Sequence, residues 1–307
     1  MELVTVIIPT YQRKMDVLSR ALKSVLYQTY ENIEILLIDD NKSDSYSIEI
    51  INLVEKLRDE RIKLVKNDQN IGGALSRNKG IKIAKGSYIS FLDDDDFYLK
   101  NKIEKQVEFM KQNKCDFVIS DLAIVNQNIK LQDVRSHKWL KKNRKNEKII
   151  INHYKYHFTG TPTFLFNRNP LIDCGGFPDV KMGHEFHLVC NLLEKGYKLG
   201  YLDEILTIAV AHDGERVSNK KNRQKELTDL LDFKMGKIEE MDMNDKRRIY
   251  YRHNLASSFD YLNKNEKIAF LKSVIKAIYY SPNGFMAEFI KRIVIKINSR
   301  SIENEKK

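Results

Sequence analysis

The chain is poor in the features that staple small secreted domains or cross membranes. It has three cysteines in 307 residues, Cys115, Cys174 and Cys190. Their spacing gives neither a paired framework nor a metal-ligand set, so they read as small apolar core residues in a reducing compartment. No stretch approaches the roughly 20 apolar residues of a membrane-spanning helix. A strand-like run, Leu3 to Pro9, starts almost at once and leaves no room for a secretory leader, which sets the expectation of a cytoplasmic location. The run continues as Thr10-Tyr11-Gln12-Arg13 rather than as Gly-x-Gly-x-x-Gly, and no Walker-type lysine loop occurs. Both absences argue against a dinucleotide site or a P-loop.

What is present is an ordinary apolar fraction, 42%, and a net charge of +11 that is unevenly placed. Residues 1–215 carry 32 Lys and Arg against 30 Asp and Glu, whereas residues 216–307 carry 21 against 12. A basic tail suits nucleic acid or an anionic membrane face. No nucleic-acid-binding motif accompanies it, so no nucleic-acid partner is expected.

Through residue 120, short β-rich runs alternate with helical patterns. Val4–Ile8, Ile33–Ile38, Ile62–Val65 and Tyr88–Leu92 read as strands. The first intervening helix is marked by Val17, Leu18, Ala21, Leu22, Val25 and Leu26. Such alternation calls for an α/β fold, a mostly parallel sheet flanked by helices. Residues 137–148 are polar and basic and read as a loop. Strands are expected at Lys198–Leu202 and Leu206–Ala211, with a helix from about Glu185 to Lys195 between the Gly-Gly turn and the first of them. The expected organisation is a domain over 1–217, with halves 1–120 and 121–217, and a basic helical region over 218–307. There Phe285, Phe289, Ile293 and Ile297 form an apolar stripe beside Lys291, Arg292 and Lys296. It suits helix packing, a second subunit in a homo-oligomer, or an anionic membrane surface at the inner face of the cell membrane.

One segment resists a purely structural reading. Ser87 to Leu92 runs straight into Asp93-Asp94-Asp95-Asp96. Four consecutive acids repel one another and are poor strand formers. A solvated acidic turn is one reading. The other is a ligand site, since in open α/β sheets ligands bind at the carboxyl ends of strands, where carboxylates can hold a hard divalent cation. The segment is not an EF-hand, lacking the loop glycine and the closing glutamate. Thr10 and Tyr11 end the first strand and Asp39-Asp40-Asn41 the second, so parallel pairing would bring these residues beside the acids. Asp40 could accept from the N3–H of a uracil, and Arg77 could offer a fork to phosphate.

Taken together, several runs resemble glycosyltransferase family 2 with the GT-A fold. They are Val4 to Tyr11, Ser24-Val25-Leu26-Tyr27-Gln28-Thr29-Tyr30, Ile38-Asp39-Asp40-Asn41, Asn70-Ile71-Gly72, Arg77-Asn78-Lys79-Gly80 and Phe91 to Asp96. The resemblance runs to about Ser218. It implies a nucleotide-diphosphate-sugar donor, a UDP-sugar by preference, and an inverting transfer to a glycan or lipid-linked acceptor in cell-surface polysaccharide synthesis. It also implies Mn²⁺ or Mg²⁺ held by Asp93 and Asp95 with His212. Thr10, Tyr11, Asp40, Arg77, Asp93 and Asp94 would bind the donor. Many relatives carry an acidic pair after a glycine; this chain reads Gly183-His184-Glu185-Phe186. Glu185 then stands as the catalytic base, with His184 in place of the first acid. The competing readings are a non-catalytic nucleotide-sugar-binding module and, less well supported, a nucleotidyltransferase.

Overall fold

The computed structural model of the chain describes residues 1–42, 44–142, 145–158, 160–180, 182–211, 222–237 and 241–288. Contacts divide the chain into two units, Met1–Ile150 with Phe158–His212 and Ile151–His157 with Asp213–Lys307.

The first unit opens with β1 (Val4–Thr10), α1 (Met15–Leu26), β2 (Ile33–Asp39), α2 (Asp44–Leu57), β3 (Ile62–Lys66), α3 (Gly73–Ile83) and β4 (Tyr88–Phe91). These four strands pair in parallel in the order β3-β2-β1-β4. Every residue of β2 is buried, as a strand covered on both faces requires. The period of two sorts β1 between two cores. Val6 and Ile8 pack with Leu18, Leu22 and Val25 of α1 on one face. Ile7 packs with Phe91, Phe117 and Phe166 on the other. Helix α3 lies so close to β1 that a Cβ on Gly80 would sit 2.6 Å from Ile7 Cγ2.

The unit continues with β5 (Phe97–Tyr98), α4 (Lys102–Asn113), β6 (Phe117–Val125), β7 (Leu131–Arg135), α5 (Asn146–Tyr156), β8 (Phe164–Asn167), α6 (Arg168–Asp173), α7 (His184–Glu194) and β9 (Leu199–Val210). Helix α5 passes into the second unit at Ile151. The full order is β3-β2-β1-β4-β8-β6-β9-β5, with β7 on the side of β6. Antiparallel β8 joins the parallel half to β6, which pairs in parallel with β9. Two features differ from the sequence reading. The two expected strands before residue 211 are one strand, β9, which absorbs Asp203 and Glu204 through register shifts opposite Ser120 to Leu122. The polar segment 137–148 contains a short 3₁₀ turn, Lys138–Lys142, and the start of α5. Trp139 anchors that turn, its ring centroid 5.3 Å from that of Phe158.

Helix α4 carries a fully buried lysine. Lys102 Nζ donates to Ser90 Oγ at 3.0 Å and to Gln106 Oε1 at 2.7 Å, and lies 4.2 Å from the Tyr98 ring centroid. Burial pushes its pKa well below the ordinary lysine value.

In the second unit, α8 (Arg223–Gly236), α9 (Met243–Asn263) and α10 (Lys267–Tyr280) are the described helices after residue 222 that are bounded at both ends. Asp242 caps α9 by accepting from Asp245 N at 2.8 Å. The small residues Ser273 and Ala277 are the buried positions of α10. Among the described residues no helix is long and apolar enough to cross a membrane. His212, and the tail stripe from Phe289 onward, lie outside the described residues.

Candidate active site

Register places the polar strand ends side by side. Thr10 pairs with Asp39, and Ile7 with Phe91, so the chain after β4 emerges next to the ends of β1 and β2. Asp40 N donates to Thr10 O at 2.9 Å. The buried Asp39 accepts from Asn41 Nδ2 at 2.7 Å and from Ser47 Oγ at 2.5 Å. Asn41 Oδ1 in turn accepts from Gln12 N at 2.7 Å, which shapes the backbone just past Tyr11. Asp40 is also buried, and its oxygens are largely committed. It accepts from Asn67 Nδ2 at 2.8 Å and from the N–H groups of Ile71 and Gly72, each at 2.9 Å. Three of a carboxylate's roughly four acceptor positions are thus used to hold the 67–72 loop. Tyr11 is 46% exposed at the rim, an aromatic face open to a planar ligand.

The four acids form a turn closed by Asp96 N donating to Asp93 O at 3.1 Å, and arginines brace it. Arg13 Nε donates to Asp94 Oδ1 at 2.9 Å, while its Nη2 lies 2.8 Å from Asp94 Oδ1 and 3.0 Å from Asp95 Oδ2. Arg20 Nη2 donates to the Asp95 carbonyl at 2.7 Å. Arg77 pairs with Asp93. Asp94 is buried, and desolvation raises its pKa, opposed by the charge and hydrogen bond of Arg13. Asp96 is pushed well above the carboxylate range by burial and by the charges of Asp93 and Asp95; its Oδ1 accepts from Val210 N at 3.0 Å. Asp94 and Asp96 therefore point into the protein. Asp93 and Asp95 keep side-chain exposures of 35% and 22%.

A second line of contacts leads from the acids toward Glu185. The Arg77 guanidinium lies 5.7 Å from the Phe177 ring centroid. That ring meets Phe91 edge-on at 5.0 Å. Asn78 clamps the same turn twice, Nδ2 donating to Phe177 O at 2.7 Å and Oδ1 accepting from Phe177 N at 2.8 Å. Gly176 allows the clamp, with φ of +73° and an ideal Cβ position only 2.3 Å from Asn78 Oδ1. Beyond the turn, His184 Nδ1 lies 3.2 Å from Pro178 O. Gly183, at φ of +74°, starts α7 in the left-handed region. Glu185 follows in the first turn of α7, half-buried, above the fully buried Leu188, Val189 and Leu192. Its carboxylate has no hydrogen bond or ion pair with the described residues. A carboxylate in that position, favoured by the helix N-terminus, is available to a ligand proton.

The sequence-predicted residues Thr10, Tyr11, Asp40, Asp93, Asp94 and Asp95 thus lie at adjoining strand ends, with Arg77 of α3 paired to Asp93; Glu185 stands in the first turn of α7, past the Phe177 turn that Asn78 holds. Among the described residues no group of three or more His, Cys, Asp or Glu side chains converges on a metal position. Asp93 and Asp95 are nevertheless hard oxygen donors with exposed edges, a donor type that suits Mg²⁺ or Mn²⁺ when phosphate oxygens share the coordination. Sequence reasoning missed Arg13, Arg20 and Phe177. The run of four acids was itself the signal that nearby cations must brace it.

The match to the family model for "Glycosyl transferase family 2" spans residues 5–175. The chain belongs to that family. It is 42% identical over 124 residues to the UDP-Glc:alpha-D-GlcNAc-diphosphoundecaprenol beta-1,3-glucosyltransferase WfaP of Escherichia coli, which covers 40% of this chain and 47% of the relative. It is 38% identical over 125 residues to the putative teichuronic acid biosynthesis glycosyltransferase TuaG of Bacillus subtilis, covering 41% and 48%. The chain spans about half the length of these curated relatives. The structure of S. aureus TarS 1-349 in complex with UDP-GlcNAc superposes with a TM-score of 0.61 at 18% identity, covering 93% of this chain and 83% of that one. That likeness is one of fold, the GT-A α/β arrangement.

Proposed function

We propose that the protein transfers a sugar from a UDP-sugar to a hydroxyl of a lipid-linked glycan precursor, with inversion at the anomeric carbon. The observation that carries this reading is the arginine-braced Asp93–Asp96 turn at the ends of parallel strands in a family 2 chain. The UDP-Glc donor and diphosphoundecaprenol acceptor for which WfaP is named, and the UDP-GlcNAc bound in the TarS structure, support the choice of donor and acceptor class.

In this reading Tyr11 stacks on the base. Thr10 lines the base site, and Asp40 stands behind it, holding the 67–72 loop. Of Asp93 and Asp94, the alternatives for the ribose side, Asp93 is the exposed one and takes that role, and Arg77 faces the diphosphate. Asp93 and Asp95 would hold Mn²⁺ or Mg²⁺, with His212 as a further ligand; the ion supplies charge stabilisation to a departing diphosphate. Glu185 removes the proton of the acceptor hydroxyl as its oxygen attacks the anomeric carbon. The bond from that carbon to the diphosphate oxygen breaks, and the nucleoside diphosphate leaves with the electron pair. No protein nucleophile is needed for a single displacement.

A screen of nucleotide sugars with Mn²⁺, scored for released nucleoside diphosphate, tests the donor class. Asp95→Ala should abolish metal-dependent UDP binding in calorimetric titration while the melting temperature holds, because removing one of four clustered acids relieves repulsion. Unchanged metal-dependent affinity in that variant overturns the assignment.

A further inference from the structure

Helix α10 divides its apolar side chains between two faces. Ser273 and Ala277 are its buried positions, with Phe270, Val274 and Tyr280 half-buried beside them, while five other large apolar side chains face outward. Ile268 is 74% exposed, Ile275 64%, Tyr279 68%, and Leu271 and Ile278 are also exposed. At 3.6 residues per turn, these five positions fall within an arc of about 100°. Lys267 borders the arc on one side, and Lys272 and Lys276 border it on the other; all three lysines are exposed. On the flank of Tyr279, the exposed Arg247 of α9 adds a fourth cation, its guanidinium 5.8 Å from the ring centroid. From Lys267 to Ser281 the sequence has no Asp or Glu.

We infer that this outward face of α10 is a docking surface for an anionic lipid bilayer. An apolar strip edged by long cationic side chains is the pattern of a helix lying in the interface, with the strip in the acyl boundary and the ammonium groups among lipid phosphates. Charge decides against a second copy of the chain as occupant. Two such faces brought together would set lysine against lysine without a countercharge on α10, whereas anionic headgroups supply one. The inference deepens the proposed function, on which it rests only for the lipid-linked acceptor; the surface itself is read from α10.

The test is sedimentation of the full-length protein with vesicles of phosphatidylcholine alone, or with about one-third phosphatidylglycerol, at low and high salt. The protein should pellet with the anionic vesicles at low salt and be released by salt. The triple variant K267Q/K272Q/K276Q should bind on the order of 100-fold more weakly, each charge being worth a factor of about five. I268D/I275D should lose binding, and both variants should keep the wild-type melting temperature, since neither touches Ser273 or Ala277. UDP-sugar hydrolysis in solution, followed in parallel, reports separately on the proposed reaction. Wild type that ignores anionic vesicles, equal binding to neutral ones, a triple variant that binds like wild type, or a dimer disrupted by I268D/I275D each overturns the inference.

Discussion

Helices α1 and α10 have similar lengths and comparable apolar content, yet they put their side chains to opposite uses. In α1 the stripe of Leu18, Leu22 and Val25 is fully buried against β1 and β2. In α10 the stripe from Ile268 to Tyr279 is exposed, and Ser273 and Ala277 make the packed face together with the half-buried Phe270, Val274 and Tyr280. Burial of apolar area stabilises a fold only where the area leaves water. The stripe of α1 therefore contributes to folding, and that of α10 leaves its apolar area free for another surface.

Substitutions that separate the units test this division of labour. The largest effect is expected at Glu185 in the first unit, where Glu185→Gln should lower kcat by roughly 10²–10⁴ and leave donor affinity within a few-fold. No change on the outward face of α10 should do this with a soluble acceptor. Steady-state kinetics with a water-soluble acceptor analogue checks both halves of the statement; near-wild-type turnover by Glu185→Gln would leave that residue with a helix-terminal role only. The next effect is on stability. Leu22→Ala in α1 should cost about 2–5 kcal/mol in urea unfolding, and Ile275→Ala in α10 should stay within about 0.5 kcal/mol. Similar losses at the two sites would erase the contrast.

The most local effect concerns Lys102, which is buried without being part of an apolar stripe. Its folded pKa is depressed, whereas the unfolded chain has the ordinary lysine value of about 10.4. Between the two values the unfolded state binds a proton that the native state refuses, so native stability rises with pH up to the unfolded value. Lys102→Met lacks this dependence. Stability of wild type relative to the variant should therefore climb as pH rises toward the unfolded lysine value of about 10.4, by at most about 1.4 kcal/mol per pH unit. A flat difference would mean that the lysine is charged in the native protein.

Most of the first unit's parallel half was legible in sequence, because each strand is a short apolar run and each helix repeats its apolar positions. The acidic turn and Glu185 were legible as candidates through their spacing and family resemblance. What escaped was made by long-range pairing. Phe97–Tyr98 is too short to show a period and becomes a strand only by lying against Thr207 and Ile208. Arg13 reads as a surface residue until the turn eighty residues later is folded against it. The continuity of β9 was hidden by Asp203 and Glu204, which look like a turn in sequence but occupy a bulged strand; Asp203 is paired there with Lys141 at 2.6 Å. Asp40, read as a group facing the ligand, is largely engaged by backbone amides that only the folded 67–72 loop presents.

The Asn78 clamp has a consequence for anyone recombining such enzymes. Because Asn78 grips both backbone groups of Phe177 and its neighbour Arg77 lies over the same ring, the joint between α3 and the turn after α6 is cut to one pattern. A chimera that grafts residues 158–212 from a relative onto the parallel half inherits the fit only if the graft brings a glycine at 176 and an aromatic ring at 177. With a side chain at 176 the asparagine is displaced, Arg77 loses its platform, and Asp93 loses the support of its cation. The interchangeable parts of this protein therefore meet at a keyed joint, and specificity is better exchanged within either side of that joint than across it.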